Sequence, residues 1–177
     1  MLKLKLKNIY KPVIFFHKRV FKCQIGKNGV LPAFKKKEGD FGTPKGKWKL
    51  GKIFYRRDKH RFLKLHKFVK KNIYPIKKHH GWSDDKFSFN YNKLLDVNKK
   101  FNFKTRHENL FRNDDVYDII VEIKYNVTPT IKGKGSAIFI HCSFKDKRPT
   151  KGCVAIEKKE LIYILNRLDK YSKLEII

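Results

Sequence analysis

The segment GSAIFIHCSFKDKRPTKGCVAI, residues 135–156, predicts a buried strand, a basic polar loop and a return into a second apolar segment. Its first part is apolar at nearly every position as far as Ile140, which is typical of a strand buried on both faces. The Pro-Thr pair in the loop favours a turn that can carry the chain back toward His141. We therefore expect Cys153, which directly follows a glycine, to approach the strand that carries His141.

The segments on both sides of this stretch predict a mainly β (α+β) protein. Leu and Lys alternate at 2–7, which is the period of a strand with one buried face. Leu161, Ile164, Leu165 and Leu168 recur at helical spacing within EKKELIYILNRLDKY (157–171) and predict one amphipathic helix near the C-terminus. Other predicted elements are strands at RVFKCQIG (19–26), KWKLGKIFYRR (47–57), DDVYDIIVEIKYNVTP (114–129) and KLEII (173–177), a loop at 35–46, and a helix or strand at HRFLKLHKFVKK (60–71).

Composition indicates one folded, strongly basic domain. The 177 residues contain no internal repeat or linker, so we expect a single domain over residues 1–177. Hydrophobic residues make up 41% and aromatic residues 14%, which excludes a disordered chain. The net charge of +28 attracts anionic surfaces, including nucleic acid, acidic lipid headgroups and carboxylate-rich polymers. Because the lysines are spread along all segments without a nucleic-acid-binding motif, we interpret them as a solvated surface.

The cysteines and the N-terminus limit the possible cofactors and locations. Cys23, Cys142 and Cys153 are an odd number, so at least one thiol is free. No CxxC pair is present, so we expect neither a structural zinc site nor any other metal. The N-terminal residues lack the unbroken apolar run of a secretory signal peptide, and no apolar stretch is long enough for a transmembrane helix. The sequence alone therefore predicts a cytoplasmic protein.

Cys153 and His141 form the candidate catalytic pair. Neighbouring side chains of a strand point to opposite faces, so a cleft-facing His141 places Cys142 in the core as a small hydrophobe. An imidazole beside a thiol can accept its proton and generate a nucleophile for acyl transfer through a thioester. The lysine-rich loop is expected to favour the thiolate, and the N–H groups of Gly152 and Cys153 can hold the oxyanion. The alternative is a buried histidine and a buried cysteine that never meet.

Motifs along most of the chain resemble the L,D-transpeptidase (YkuD-type) family. The segment at 135–156 is similar to the family's active-site segment, in which a histidine and a loop precede Ser/Thr-x-Gly-Cys. KKKEGDFGTPKGKWKLG at 35–51 resembles the upstream EGD…TP.G element. The sequences GWSDD, YN at 91–92 and HENLFRNDDVYDIIVEIKYN resemble a short branch of the family, in the same order. The resemblance is strongest from about residue 20 to residue 177 and implies one β-sandwich catalytic domain with a C-terminal amphipathic helix.

The resemblance implies a cysteine-dependent L,D-transpeptidase without a cofactor. Such an enzyme acts on the acidic stem peptides of peptidoglycan and cross-links or remodels the cell wall. Cys153 matches the nucleophile and His141 the general base. The family's usual SHGC is TKGC here, so Thr150 and Lys151 stand before Gly152 in place of serine and histidine. With that histidine absent, the oxyanion hole is expected to consist of backbone N–H groups.

Three further residues are candidates for substrate binding. The Arg112 guanidinium can clamp a carboxylate of the substrate, and the simpler interpretation is an ion pair with Asp114 or Asp115. His107 and Trp82 are candidates for the wall of the cleft. Their alternatives are an exposed or capping histidine and a tryptophan packed beside a turn.

Two other functions fit the same sequence. The Cys153–His141 pair can pass the acyl group to water, which would make the protein an L,D-carboxypeptidase or hydrolase. A basic nucleic-acid-binding module with an inactive site also fits the charge, although no specific nucleic acid is expected. The family resemblance implies the periplasm or cell envelope, whereas the N-terminal sequence predicts the cytoplasm.

Overall fold

The computed structural model describes residues 2–6, 11–60, 67–100 and 104–177, with the backbone alone at 2–6, 67 and 68. Within these ranges no helix combines the length and apolar character needed to cross a membrane. The strands are β1 (Leu2–Leu6), β2 (Pro12–Phe16), β3 (Arg19–Gln24), β4 (Val30–Pro32), β5 (Thr43–Tyr55), β6 (Ile73–Pro75), β7 (His80–Ser83), β8 (Leu94–Asp96), β9 (His107–Asn109), β10 (Ile119–Ile123), β11 (Phe139–Cys142), β12 (Val154–Ile156) and β13 (Lys173–Ile176). The helices are α1 (Lys67–Lys70) and α2 (Lys158–Leu165).

The main sheet closes on itself. Its strands follow the order β10-β11-β12-β3-β2-β1-β13-β5, and β5 then pairs antiparallel with β10. β4 and β6 pair in parallel with β5, and a smaller sheet has the order β8-β7-β9. The strands predicted at 2–7, 19–26 and 173–177 are confirmed as β1, β3 and β13. The mostly-β class is confirmed, and the expected sandwich takes the form of this closed sheet.

The C-terminal amphipathic helix is confirmed, but it is shorter than the sequence predicts. α2 ends at Leu165 rather than near Tyr171. Arg167 and Leu168 donate their backbone N–H groups only three residues back, to Ile164 and Leu165, so the chain tightens into a 3₁₀-type turn. Leu168 is still buried, and the apolar face of α2 joins the main core with side chains of β2, β3, β5 and β10 to β13.

The strand predicted over 114–129 is wrong at both ends. Asp115–Tyr117 forms a 3₁₀ turn, because adjacent aspartates favour turns over a strand ladder. The strand itself covers only Ile119–Ile123, and Tyr125 donates its N–H to the carbonyl two residues back. The turn has a consequence for the site, because it places Tyr117 against aromatic rings of β11.

Two other boundaries differ from the prediction, and one ambiguous segment is assigned in part. β5 begins at Thr43, inside the predicted loop, because its first residues pair with β4. The strand predicted in the first part of the 135–156 segment is also shorter than expected, because β11 covers only Phe139–Cys142. In the ambiguous HRFLKLHKFVKK segment, Lys67–Lys70 is helical, and 61–66 lies outside the described residues.

β11 separates two hydrophobic clusters. Ile140 and Cys142 face the main core, which contains α2. Phe139 belongs to a second cluster on the opposite face of the sheet, and Cys153 belongs to it as well. Because side chains alternate along a strand, His141 shares the face of Phe139. The fold therefore brings the predicted nucleophile and base to the same side of the sheet.

Candidate active site

Parallel pairing of β11 with β12 fixes the relative positions of His141 and Cys153. Ile140 pairs with Val154, and His141 pairs with Ala155. Cys153 lies two residues before the partner of His141, so the two side chains point to one face. With strands about 4.8 Å apart and a rise of about 3.3 Å per residue, their Cα atoms are about 8 Å apart. A cysteine and a histidine together can span this separation, and both line one cavity.

His141 is a buried, neutral imidazole with one unprotonated nitrogen. Its ring packs edge-on against Tyr117 and Phe144, with ring centroids 5.4 and 6.0 Å away. Nδ1 lies 2.8 Å from the Cys142 carbonyl oxygen, and since a carbonyl can only accept, Nδ1 carries the proton and Nε2 does not. Burial lowers the pKa of His141 to about 4, and the hydrogen bond to the Cys142 carbonyl acts in the opposite direction. His141 is thus in the tautomer that a general base requires.

Cys153 is a buried, protonated thiol. Its Sγ donates to the Ala137 carbonyl oxygen at 3.1 Å and accepts the Phe139 N–H at 3.4 Å. Burial raises the pKa of Cys153 to about 12, although the Phe139 N–H acts in the opposite direction. The expected stabilisation of the thiolate by the lysine-rich loop is not seen, because burial dominates the pKa and the cation that lowers it is Lys36. Before deprotonation the thiol must give up its hydrogen bond to the Ala137 carbonyl and form one to His141.

Asn92 positions the residue whose carbonyl group, that of Ala137, accepts the hydrogen bond from the thiol. Ala137 has a φ of 51°, a conformation that few non-glycine residues adopt. Its N–H donates to Asn92 Oδ1 at 3.1 Å, and Trp82 Nε1 donates to the same oxygen at 2.9 Å. The Asn92 side-chain amide donates in turn to the Asn126 carbonyl at 2.7 Å. The sequence assigned no role to Asn92, although the YN pair carried part of the family resemblance.

The TKGC loop, residues 150–153, requires its glycine. Gly152 has a φ of 129°, and a Cβ there would lie 2.9 Å from the Gly42 carbonyl oxygen. The Gly152 N–H donates to Thr150 Oγ1 at 3.1 Å, and that hydroxyl donates to the Cys153 carbonyl at 2.6 Å. Thr150 therefore fixes the shape of the loop. For the predicted oxyanion role, the Gly152 N–H must first break its hydrogen bond to Thr150 Oγ1.

The pair lies in a cavity of 610 Å³ whose lining mixes charged and apolar side chains. Of the predicted site residues, the cavity lining includes Arg112, His141, Thr150, Lys151 and Cys153. The remaining charged residues of the lining are Lys36, Glu38, Asp84, Arg106, Glu108 and Arg148. The cavity is large enough for part of a peptide and combines apolar walls with groups that recognise charge.

Arg112 and Lys151 differ in whether their charge is already paired. Arg112 donates to Glu108 at 2.9 Å and to Asp114 at 2.6 Å, so the ion pair suggested by the sequence is present. The hydrogen bonds to Asp114 raise the pKa of Arg112. The positive charge of Arg112 is therefore already compensated by two carboxylates, with which a substrate carboxylate would compete. Lys151 is exposed at the rim, and within the described ranges no acidic group pairs with it.

Tyr117 is a further site residue that the sequence did not assign. Its ring centroid lies 5.4 Å from that of His141 and 6.3 Å from that of Phe139. Burial raises the pKa of Tyr117 well above its ordinary value, and the negative charge of Glu108 adds to this effect. Tyr117 and Glu108 both belong to the cavity lining. Tyr117 thus holds the imidazole by its ring and reaches the cavity rim with its hydroxyl.

Two of the three predicted substrate-binding residues lie outside the cavity lining. Trp82 is 4% exposed and packs edge-on against Phe139 with centroids 5.0 Å apart, so it supports the site from beneath. His107 lies in β9, with Nδ1 2.7 Å from the Thr105 carbonyl oxygen. Cys142 faces the main core, as expected, and burial raises its pKa to about 12. The structure therefore does not bring Trp82 or His107 to the Cys–His pair.

Fold and site together define a mostly-β domain in which a histidine on one strand and a cysteine directly before the neighbouring parallel strand share one cavity. The family model for the L,D-transpeptidase catalytic domain (YkuD) matches residues 17–176. The chain therefore belongs to this family, which confirms the resemblance seen in its motifs. Comparison with the curated proteins and with the solved structures found no match.

Proposed function

We propose that the protein is a cysteine-dependent L,D-transpeptidase that acts on peptidoglycan stem peptides through a thioester acyl-enzyme. Membership of the family supports the class of reaction. One observation carries the choice of residues: Cys153 and His141 lie on one face and in one cavity, with His141 Nε2 unprotonated. A nucleic-acid-binding module with an inactive site has no need of this arrangement.

The pair performs acyl transfer in two steps. The Cys153 sulfur attacks the carbonyl carbon between a diaminopimelate-type residue and the terminal D-alanine. As the S–C bond forms, His141 Nε2 takes the thiol proton, and as the C–N bond breaks, it gives that proton to the D-alanine amine. An amine of a second stem peptide then attacks the thioester, which completes a cross-link and returns the proton to the thiol.

The thiol loses its proton during the attack rather than before it. Burial raises the pKa of Cys153 and lowers that of His141, so both shifts disfavour a thiolate–imidazolium pair before substrate binds. The negative charge appears instead on the oxyanion of the tetrahedral intermediate. We assign its stabilisation to backbone N–H groups of the TKGC loop, because preorganised donors stabilise an oxyanion more strongly in a buried site than in water.

The charge of the cavity rim suits a substrate with free carboxylates. Lys151 is exposed directly beside the TKGC glycine and cysteine. Its ammonium group can bind a substrate carboxylate without competition from a carboxylate of the described residues, whereas Arg112 is already paired with Glu108 and Asp114. The net charge of +28 adds a long-range attraction that salt weakens. We assign Lys151 to carboxylate binding at the position where the family usually has histidine.

Mass spectrometry of the intact protein with a carbapenem, which resembles the acyl donor of this family, tests the proposal. Wild type should gain one adduct that maps to Cys153, and Cys153→Ala should gain none. Cys142→Ala is the matched control, because it removes another buried thiol from the opposite face of the sheet, and it should keep the adduct. His141→Gln should slow adduct formation at least about 100-fold.

Two outcomes would contradict the assignment: an adduct on Cys142 or Cys23, or no adduct on folded wild type. Incubation of the protein with a stem tetrapeptide, with and without an added amine, then identifies the acyl acceptor. Cross-linked product that forms only with an added amine supports the transpeptidase. Release of D-alanine without cross-linking would indicate the carboxypeptidase instead.

A further inference from the structure

Exposed phenylalanines and lysines gather on three loops beside the cavity. Phe89 is 92% exposed, Phe87 80% and Phe34 75%, and Ile131 is exposed as well. Large apolar side chains exposed together indicate an interaction site rather than ordinary surface. We call this the aromatic–lysine surface, and it consists of Phe34, Lys35, Lys86, Phe87, Phe89, Lys93, Ile131, Lys132 and Lys134.

The two lysines of the KGKG motif connect the loops. Lys132 Nζ lies 3.3 Å from the Phe87 carbonyl oxygen and 5.1 Å from the centroid of the Phe89 ring. Lys134 Nζ lies 3.2 Å from the Phe34 carbonyl oxygen. The motif lacks the spacing of a phosphate-binding loop and is followed by a strand. In this structure it holds exposed rings of separate loops near one another.

Buried hydrogen bonds support the aromatic–lysine surface from below. The Glu38 N–H donates to the Gly133 carbonyl at 2.8 Å, and the Gly135 N–H donates to the Tyr91 hydroxyl at 2.9 Å. The Glu38 carboxylate accepts hydrogen bonds from Tyr91 and Ser136. The exposed rings are therefore presented from a fixed base.

The chemistry of this surface fits an anionic lipid bilayer. Phenylalanine and isoleucine side chains can enter the boundary between headgroups and acyl chains, while lysine stems reach back to the phosphates. None of its cations is an arginine, the side chain suited to bidentate contact with nucleic-acid phosphates. Ile131 offers no aromatic face for a base, and the three phenylalanines lie outside the lining of the catalytic cavity.

We propose that the aromatic–lysine surface binds an anionic membrane, with its phenylalanine rings inserted and its lysines on the lipid phosphates. Glu38 and Ser136 belong both to the base of this surface and to the cavity lining. Membrane binding therefore brings the mouth of the cavity close to the bilayer. This interaction is separate from catalysis and does not depend on Cys153.

Sedimentation of the full chain with phosphatidylglycerol vesicles tests the lysines. Each lysine near an anionic bilayer raises the partition coefficient about five-fold. Lys132→Gln combined with Lys134→Gln should therefore lower partitioning about 30-fold. Lys159→Gln combined with Lys173→Gln is the matched control, because it removes the same charge from exposed lysines elsewhere. This control should lower partitioning less than about five-fold.

The phenylalanines are tested in the same assay. Phe87→Ala combined with Phe89→Ala should lower partitioning at least about ten-fold, and this loss should persist at high salt because apolar insertion is not screened. Tyr171→Ala removes an exposed ring, 72% exposed, from another part of the chain and should bind like wild type. Cys153→Ala should also bind like wild type, which keeps this test independent of the proposed enzyme activity.

Three results would overturn the proposal. Wild type that fails to sediment with the vesicles excludes it. Equal losses in the two lysine pairs, in variants that unfold like wild type, would show that net charge alone attracts the protein. Tighter binding to single-stranded DNA, lost through the same phenylalanine and lysine substitutions, would assign the surface to nucleic acid.

Discussion

Thr43 donates its hydroxyl hydrogen to the Gly152 carbonyl oxygen at 2.9 Å. The same hydroxyl accepts the Gly26 N–H at 2.9 Å, and the side chain is fully buried. One threonine thus connects the EGDFGTP segment to the TKGC loop, although the two are far apart in sequence. The position of the peptide group just before Cys153 therefore depends on a residue that takes no part in the chemistry.

Thr43→Val should destabilise the protein and slow acylation. Valine matches the shape of threonine, but it leaves the buried Gly26 N–H without an acceptor and the Gly152 carbonyl without this donor. Each buried group that loses its partner costs about 1–3 kcal/mol, so we expect a loss of about 2–4 kcal/mol. Urea denaturation and the carbapenem acylation rate measure the two effects. Thr43→Ser keeps the hydroxyl and should recover most of both; equal behaviour of the serine and valine variants would refute the role of the hydroxyl.

Gly152→Ala should be more harmful than alanine at another glycine of positive φ. A Cβ at Gly152 adds a contact of 2.9 Å with a backbone oxygen to the strain of the conformation, so we expect about 2–4 kcal/mol and loss of acylation. Gly133 has a φ of 78° with no atom within 4 Å of the added Cβ. Alanine at this position therefore measures the backbone strain without the steric contact. Gly133→Ala should cost about 1 kcal/mol and remain active. Similar losses at the two sites, measured by denaturation, would show that the contact is unimportant.

The convergence of the catalytic pair could be predicted from sequence because it depends on local pattern. Alternation along β11 assigns His141 and Cys142 to opposite faces, and the basic loop is long enough for the chain to return at Cys153. The helix and the terminal strands were predictable for the same reason, since each has a clear apolar period.

The rest of the site depends on contacts between segments that no local pattern reveals. Asn92 acts through Ala137, which lies in another loop, and Tyr117 reaches His141 only because a 3₁₀ turn replaces the predicted strand. The neutral state of the pair likewise follows from burial, which the lysine-rich sequence around Cys153 concealed.

Acylation should remain fast at pH values where an ordinary histidine would be protonated. Burial lowers the pKa of His141 to about 4, so Nε2 stays unprotonated and able to accept the thiol proton at every pH above that value. The second-order rate of carbapenem acylation should therefore stay level from neutral pH to about pH 5 and fall near pH 4. A fall centred at about 6.5, the pKa of a solvated histidine, would show that the base is not buried in the reacting enzyme.

Stability should also depend on pH through His141. The unfolded chain binds a proton at this residue below about pH 6.5, whereas the folded protein binds it only near pH 4. The unfolded state thus holds more protons in this interval, so the free energy of unfolding should fall with falling pH, by up to about 3 kcal/mol. His141→Gln should lose this slope, whatever its effect on stability at neutral pH. Denaturation curves at several pH values compare the slopes, and parallel slopes in the two proteins would contradict burial of a neutral imidazole.

Tyr117 should act as a positioning residue, and two substitutions separate its ring from its hydroxyl. Tyr117→Phe keeps the ring against His141 and removes only the hydroxyl, and Glu108 keeps its hydrogen bond from Arg112. We expect stability within about 1 kcal/mol of wild type and an acid limb of the acylation profile still near about pH 4, because the ring stays against His141.

Tyr117→Leu removes the aromatic ring from the wall around His141 and should admit water to the imidazole. Because burial is the main cause of the low His141 pKa, the acid limb of the acylation profile should then move upward from about 4 toward the ordinary value. A purely structural role would lower the stability of the leucine variant without moving this limb. The pH profile therefore distinguishes a ring that sets the proton affinity of the base from one that only fills space.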